Sequence, residues 1–248
     1  MLPLSIAALA ACLAVTTGCS PIPEFGESTA EDAYTVGVEA MEREDYLLAI
    51  EAFRHVTMAS PLGDWADDAL VGLADAHRAI SDYAMAEDEY RRLLSDYPRS
   101  DLVPEAVYKL GLTYYDQSLP AQLDQAMTLS AIEQLEYFST TYPESEFVPE
   151  AEGKIAELRA RLAEKAYGAA TLYFQLGDPG AARVYLAAIF DDYPDTRWAR
   201  VALLEIARSH AREGSTAQAA ETYDLLIERY PGTEEAAAAE GERAGAAP

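Results

Sequence analysis

Cysteine is nearly missing from this chain. Cys12 and Cys19 are the two present, and none follows residue 19. No disulfide can brace the body of the fold, which must rest on its core. Histidine is as scarce: His55, His77 and His210. None has a second His or Cys at metal-ligand spacing, and no glycine-rich phosphate loop, zinc-helix motif or nucleophile elbow occurs. The expectation is a chain with no catalytic residue, no metal and no cofactor. Positive charge is short too, with 18 Lys and Arg against 43 Asp and Glu, a net charge of −25. A general nucleic-acid binder needs a basic face for phosphate, so that class is excluded. Lys is rare, Arg carries most of the positive charge and Ala is abundant. A GC-rich genome and adaptation to high salt both produce that bias, and composition does not separate them. The one long apolar run, residues 2–15, is too short for a bilayer span of about 20 residues.

What is present is a repeat. A small Ala, an aromatic or Leu four residues on and a Pro eight residues later recur five times. The sets are Ala49/Phe53/Pro61, Ala86/Tyr90/Pro98, Ala131/Leu135/Pro143, Ala182/Leu186/Pro194 and Ala219/Tyr223/Pro231. Each Pro lacks a donor and pushes its predecessor out of the α region, so it ends a helix. The predecessor is Tyr97, Tyr142, Tyr193 or Tyr230 in four cases. Ser100, Ser145, Thr196 and Thr233 follow two residues after those prolines and read as N-caps, although Thr233 has little chain after it to cap.

The partner helix lies upstream of each Ala. Its small slot holds Val36-Gly37, Leu73-Ala74, Leu110-Gly111, Ala169-Ala170 and Ile206-Ala207; its aromatic slot holds Ala40, His77, Tyr114, Tyr173 and His210. Small residues let helix axes approach, and larger ones fill the space between. The pattern resembles the tetratricopeptide repeat in all five copies. The fold class is therefore all-α: an α-solenoid of five tetratricopeptide-like helix pairs, with one long helix entering repeat four. In that register His77 and His210 are core imidazoles and His55 is solvated. The pairs Asp67-Asp68 and Asp191-Asp192 sit at helix ends, where acid at an N-terminus is favoured by the dipole.

The intervals between prolines are 37, 45, 51 and 37. The 45 is 37 plus an insertion of 8 around 117–125, inside repeat three. The 51 carries a polar helical stretch, 146–162, that runs into repeat four and predicts one helix over about 146–176, roughly 46 Å at 1.5 Å per residue.

First helices line the inner side of such a stack. The inward positions are Tyr34, Val38 and Met41 in repeat one, Val71, Asp75 and Arg78 in repeat two, Tyr108, Leu112 and Tyr115 in repeat three, and Tyr167, Thr171 and Phe174 in repeat four. That surface is largely aromatic and aliphatic, and it predicts a groove for an extended apolar or aromatic peptide.

Residues 2–15 suit the core of a signal peptide. Thr16-Thr17-Gly18-Cys19-Ser20 then resembles a bacterial lipobox, with Thr where Leu is usual three places before the Cys. Leu9-Ala10-Ala11-Cys12 matches better by residue type but leaves a shorter apolar core. Cys19 is the preferred lipidation site, Cys12 the alternative. No Lys or Arg precedes the apolar run, so the true start is left open. By resemblance, Ser20 implies retention at the outer membrane.

Beyond the generic repeat, the chain resembles the BamD family, tetratricopeptide lipoproteins of the β-barrel assembly machinery, over about 29–231. Four features carry the resemblance: Pro61-Leu62-Gly63-Asp64-Trp65-Ala66 after repeat one; Tyr115-Asp116-Gln117-Ser118 with Leu123-Asp124-Gln125 at the insertion; Glu157-Leu158-Arg159-Ala160-Arg161-Leu162-Ala163-Glu164 on the long helix; and Tyr193-Pro194-Asp195-Thr196 in repeat four. Two departures stand beside them: Asp101-Leu102-Val103-Pro104-Glu105 after repeat two, and Tyr185 where the family often has an Arg that pairs with the barrel-forming partner BamA. The resemblance implies a scaffold that docks on a periplasmic POTRA domain of BamA, with Tyr185 as docking candidate, and that receives unfolded outer-membrane β-barrel proteins. It implies attachment to the periplasmic face of the outer membrane by a lipid anchor. The implied layout is a signal peptide (1–18), a flexible linker (19–28), a client-binding half (29–143), a BamA-docking half (144–232) and a disordered tail (233–248). A periplasmic adaptor of the Tol-Pal-associated cell-division type is the alternative; its usual N-terminal heptads are not seen here.

Overall fold

The computed structural model describes residues 25 and 28–245. The expected signal peptide (1–18), Cys12, Cys19 and residues 246–248 lie outside the described residues, as does most of the expected linker 19–28. Among the described residues there are eleven α-helices and no strand. They pair as α1 (Ala30–Glu42) with α2 (Tyr46–Ala59), α3 (Ala66–Ala79) with α4 (Tyr83–Asp96), and α5 (Val103–Asp116) with α6 (Ala126–Thr141). Then follow α7 (Val148–Gln175) with α8 (Pro179–Asp192), α9 (Arg197–Arg212) with α10 (Thr216–Arg229), and α11 (Glu234–Gly245). The chain is an α-solenoid of five helix pairs, as the repeat predicts. None of these helices is long and apolar enough to cross a membrane.

Four of the five pairs close by the same turn. The N–H groups of Asp45, Asp82, Asp178 and Ser215 donate to the carbonyls of Ala40, His77, Tyr173 and His210 at 2.9, 2.9, 3.0 and 2.9 Å. This six-residue closure places one residue in the left-handed region. That residue is Glu44 (φ 58°), Ser81 (φ 63°), Gly177 (φ 78°) or Gly214 (φ 78°). Asp45 and Asp178 then cap the second helix, accepting from Leu48 N–H at 3.3 Å and Ala181 N–H at 2.9 Å.

Between repeats, the Tyr before each Pro has a second task where the interval is 37. Tyr97 Oη donates to the Pro61 carbonyl, and Tyr230 Oη donates to the Pro194 carbonyl at 2.8 Å. The predicted caps are only partly in place. Ser100 and Ser145 precede the cap residues Leu102 and Phe147, whose N–H groups they accept at 3.1 and 3.4 Å. Thr196 is a cap by backbone, but its hydroxyl donates back to the Tyr193 carbonyl. Thr233, expected to have little chain to cap, instead accepts from Ala236 N–H at 3.3 Å at the start of α11.

The insertion 117–125 is the loop between α5 and α6, and the long helix is α7, 28 residues or about 42 Å. His77 is buried, 3.3 Å from Asp82, whereas His55 is half-buried against the Phe25 ring at 5.6 Å rather than solvated.

The expected disordered tail is corrected by α11. Ala236 and Ala239 are buried on its inner face. Arg200 pairs with Glu235 at 3.3 Å, Arg208 with Glu242 at 2.6 Å, and Tyr223 Oη donates to Glu242 at 2.9 Å. The Ala/Glu-rich composition reads as a tail, yet small side chains are what a terminal capping helix needs to lie close on its neighbours. The Arg208 hydrogen bonds hold the Glu242 carboxyl below the usual carboxylate range, against the opposing effect of burial.

Two outcomes are expected. Ser81→Gly and Glu44→Gly each raise stability by up to about 1 kcal/mol, while Gly177→Ala lowers it by about the same, read from denaturant midpoints. Because the folded-state pKa of Glu242 is depressed, its contribution is full above the unfolded value of about 4.3 and is lost as pH falls through the folded value. Hydrogen exchange of α11 amides therefore loses protection on acidification in the wild type, and Glu242→Gln removes that dependence.

Candidate functional site

The inner face is built by α1, α3, α5, the second half of α7 and α9. At its N-terminal end Tyr34 stacks on Trp65, ring centroids 4.8 Å apart, and Val38 is 38% exposed, with Met41 half-buried beside the core of repeat one. Burial, then Asp68 and Asp67, raise the Tyr34 hydroxyl above its ordinary pKa.

The middle of the face is ionic, which corrects the expected aromatic and aliphatic groove. Asp75 accepts from the buried Tyr90 hydroxyl and from Lys109 Nζ at 2.6 Å, and Lys109 also reaches Glu105 at 2.6 Å. Arg78 pairs with Asp116 at 2.7 Å. Asp75, Arg78, Lys109 and Asp116, with Met41 and Tyr46, line an open cavity of about 410 Å³. Burial lowers the Lys109 pKa, but Asp75 and Glu105 more than offset it, so the ammonium is held above its usual range. Tyr90 is pushed far above the phenol range, by burial first and Asp75 second.

Two groove candidates are buried. Val71 is 7% exposed and packs into the core of repeats two and three. Tyr108 is 3% exposed, stacked on Phe147 at 4.9 Å and tilted against Phe138. The start of α7 leans over Tyr108, so register put it on the inner face but the next repeat covers it. Burial first and Glu150 second push its hydroxyl above the phenol range. Leu112 is half-buried. Tyr115 is half-buried as well, donating to Glu157 at 2.6 Å under Lys154 Nζ, which lies 4.1 Å from the ring centroid.

Further along, Tyr167 packs on Trp198 at 4.9 Å, with Thr171 and Phe174 half-buried on the same helix. Tyr185 on α8 is 39% exposed and stacks on Tyr173 at 5.1 Å. Leu172 and Leu176, one turn apart at the end of α7, are also exposed, giving an apolar patch next to that pair. Trp65, Trp198, Lys109 and Asp116 are the inner-face residues that the sequence reading missed. Opposite charges about one repeat apart were the available signal: Asp75 and Lys109, or Arg78 and Asp116. Among the described residues no cluster of three His, Cys, Asp or Glu has the arrangement of a metal site.

The family model described as outer membrane lipoprotein, YfiO, matches residues 26–226. Outer membrane protein assembly factor BamD of Caulobacter vibrioides is 25% identical over 224 residues, covering 88% of this chain and 73% of that protein. BamD of Pasteurella multocida is 22% identical over 220 residues, covering 85% of each. A solved TPR repeats protein from Bacteroides fragilis superposes with a TM-score of 0.52 at 13% identity, over 88% of this chain and 98% of that one, which shows the fold.

Removing one partner from the ionic band should be costly. Lys109→Ala is expected to lower stability by about 1–3 kcal/mol, because Asp75 and Glu105 lose their shared cation in a partly buried setting. Thermal unfolding of the Asp75→Asn/Lys109→Ala pair against each single variant measures the coupling.

Proposed function

The chain belongs to the YfiO/BamD family of outer membrane lipoproteins, and from that premise we propose that it is a scaffold for outer-membrane β-barrel assembly. The observation that carries this reading is the length of the family match: residues 26–226 run from the start of the fold into α10. A match to the repeat alone would leave the purpose of the solenoid open, since tetratricopeptide stacks serve many ends.

On this reading the protein sits at the periplasmic face of the outer membrane, held by lipid on Cys19. Repeats one to three, residues 29–143, receive an unfolded barrel protein. Tyr34, Trp65, Val38 and Met41 offer it apolar contact at one end, and Leu112 and Tyr115 offer more beyond the ionic band. An extended peptide with aromatic side chains at both ends and polar ones between fits that sequence of surfaces. Residues 144–232 dock on a POTRA domain of BamA, with the exposed Tyr173–Tyr185 pair and Leu172 and Leu176 as the contact. Aromatic side chains that are half-exposed in the free protein make good anchors when a partner covers them.

Binding to immobilised POTRA domains tests the docking half. The wild type is expected to be retained, and Tyr185→Ala to weaken binding about tenfold, about 1.4 kcal/mol. Val38→Asp is expected to leave POTRA binding intact and to reduce crosslinking to an unfolded barrel protein. A wild type that binds no POTRA domain sinks the docking reading, and equal crosslinking by Val38→Asp sinks the groove. The intact mass of the mature N-terminus decides between Cys19 and Cys12.

A further inference from the structure

The two irregular features of the repeat, the insertion and the long helix, touch each other. We propose that the insertion is a strap, and that it locks the angle between the first three repeats and the last two.

The need for a lock is visible along α7. Ala151 and Leu158 are buried in the core shared with repeats two and three. Ala163 and Ala170 are buried in a separate core shared with α8 and α9. Residues 159–162 lie between, and none of them is fully buried. On α3 and α9 the residues of two neighbouring cores interleave along one helix, whereas on α7 the two cores follow one another with 159–162 between them. In a solenoid each unit is held by its neighbours alone, so a weak interface lets everything beyond it swing.

Polar contacts fill the gap from two directions. Arg161 Nη1 donates to Ser118 Oγ at 2.6 Å and to the Leu119 carbonyl at 3.4 Å. Lys165 Nζ donates to the Leu123 carbonyl at 2.6 Å, and Gln122 Nε2 to Glu164 at 3.4 Å. These bonds tie α7 back to repeat three. Arg159 goes the other way, to Asp195 at 2.6 Å and the Asp192 carbonyl at 3.0 Å, at the turn before α9. Two arginines that are two residues apart on one helix therefore grip opposite halves.

The strap is stiff before it touches α7. Gln125 is 7% exposed, and its Nε2 lies within reach of the carbonyls of Leu119, Pro120, Leu123 and Asp124, at 3.3, 2.9, 3.3 and 3.1 Å. Its Oε1 accepts from the buried Thr128 hydroxyl at 2.8 Å, and Ala121 is buried beneath the loop. A loop closed on itself this way presents its carbonyls to Arg161 and Lys165 at little further cost in entropy. The lock is a property of this chain and depends on neither proposed partner.

Pulsed electron–electron resonance tests it on the full chain. Nitroxides go on Glu42→Cys in α1 and Gln218→Cys in α10, with Cys12→Ser and Cys19→Ser to prevent stray labelling. The parent should give one narrow distance distribution. Arg161→Ala with Lys165→Ala is expected to widen it about two-fold while helix content by circular dichroism stays unchanged. An unchanged width in the folded double variant overturns the proposal. If the double variant loses helix content, Lys165→Met alone decides by the same two outcomes. Arg43→Ala, which breaks a surface pair within α1, must leave the width unaltered; equal widening there also overturns the strap.

Discussion

The Phe53 ring lies in a slot with glycine on both sides, and the geometry of the stack follows from that slot. A Cβ on Gly37 would come 2.6 Å from one edge of the ring, and a Cβ on Gly72 would come equally close to the opposite edge. One aromatic side chain of α2 is thereby wedged between the first helices of its own repeat and the next. Leu135 meets Gly111 in the same way in repeat three. Because interiors are close-packed, a filled slot admits one separation and one tilt. Copying the slot along the chain copies the helix-pair geometry with it. The Tyr97–Pro61 and Tyr230–Pro194 ties then set the rise between repeats, and both occur at intervals of 37.

That is why so much of the fold was legible. Glycine and alanine slots, prolines at helix ends and left-handed turn residues are local signals, and each names its position along the chain. The long helix was legible for the same reason, ending within two residues of its expected bounds. What was hidden depends on a neighbour that sequence distance conceals. Tyr108 has the register of an inner-face residue, but Phe147, brought in by the start of α7, covers it. The last helix has the composition of a tail, and it folds because Arg200 and Arg208 of α9 meet Glu235 and Glu242. In the ionic band, Asp75 and Lys109 are 34 residues apart, close to the 37-residue interval between repeats, so the pairing was written in the spacing. It escaped a reading that looked for apolar stripes.

The scarcity of positive charge has a structural consequence. Arg78, Lys109, Arg159, Arg200 and Arg208 each bridge one repeat, or the terminal helix, to the element beside it. Cations are concentrated at seams, where partial burial makes a pair count for more than it would in open solvent. The acidic surplus is what the remaining surface shows. A net charge of −25 repels polyanions and other acidic surfaces, so apolar side chains left exposed among the carboxylates are where close contact with a partner costs least. Val38 and Trp65 at one end, and Tyr185, Leu172 and Leu176 at the other, are such places.

Between those two ends stands α7, and its sequence solves a problem that ordinary repeats do not have. A stack of identical units has one interface repeated, so its curvature is fixed everywhere by the same packing. Here two cores follow one another along α7 with residues 159–162 between them, instead of interleaving on one helix as they do on α3 and α9, and the repeat period gives no packing rule for the junction. Extra chain was therefore needed twice, once to lengthen the helix and once to reach it. A longer helix without the insertion would leave Arg161 and Lys165 without their carbonyl and hydroxyl acceptors on the side of repeat three. An insertion without the longer helix would have nothing to grip. The intervals of 45 and 51 residues are thus a single structural event, and the distance between the two apolar ends of the scaffold is set by how those two additions meet.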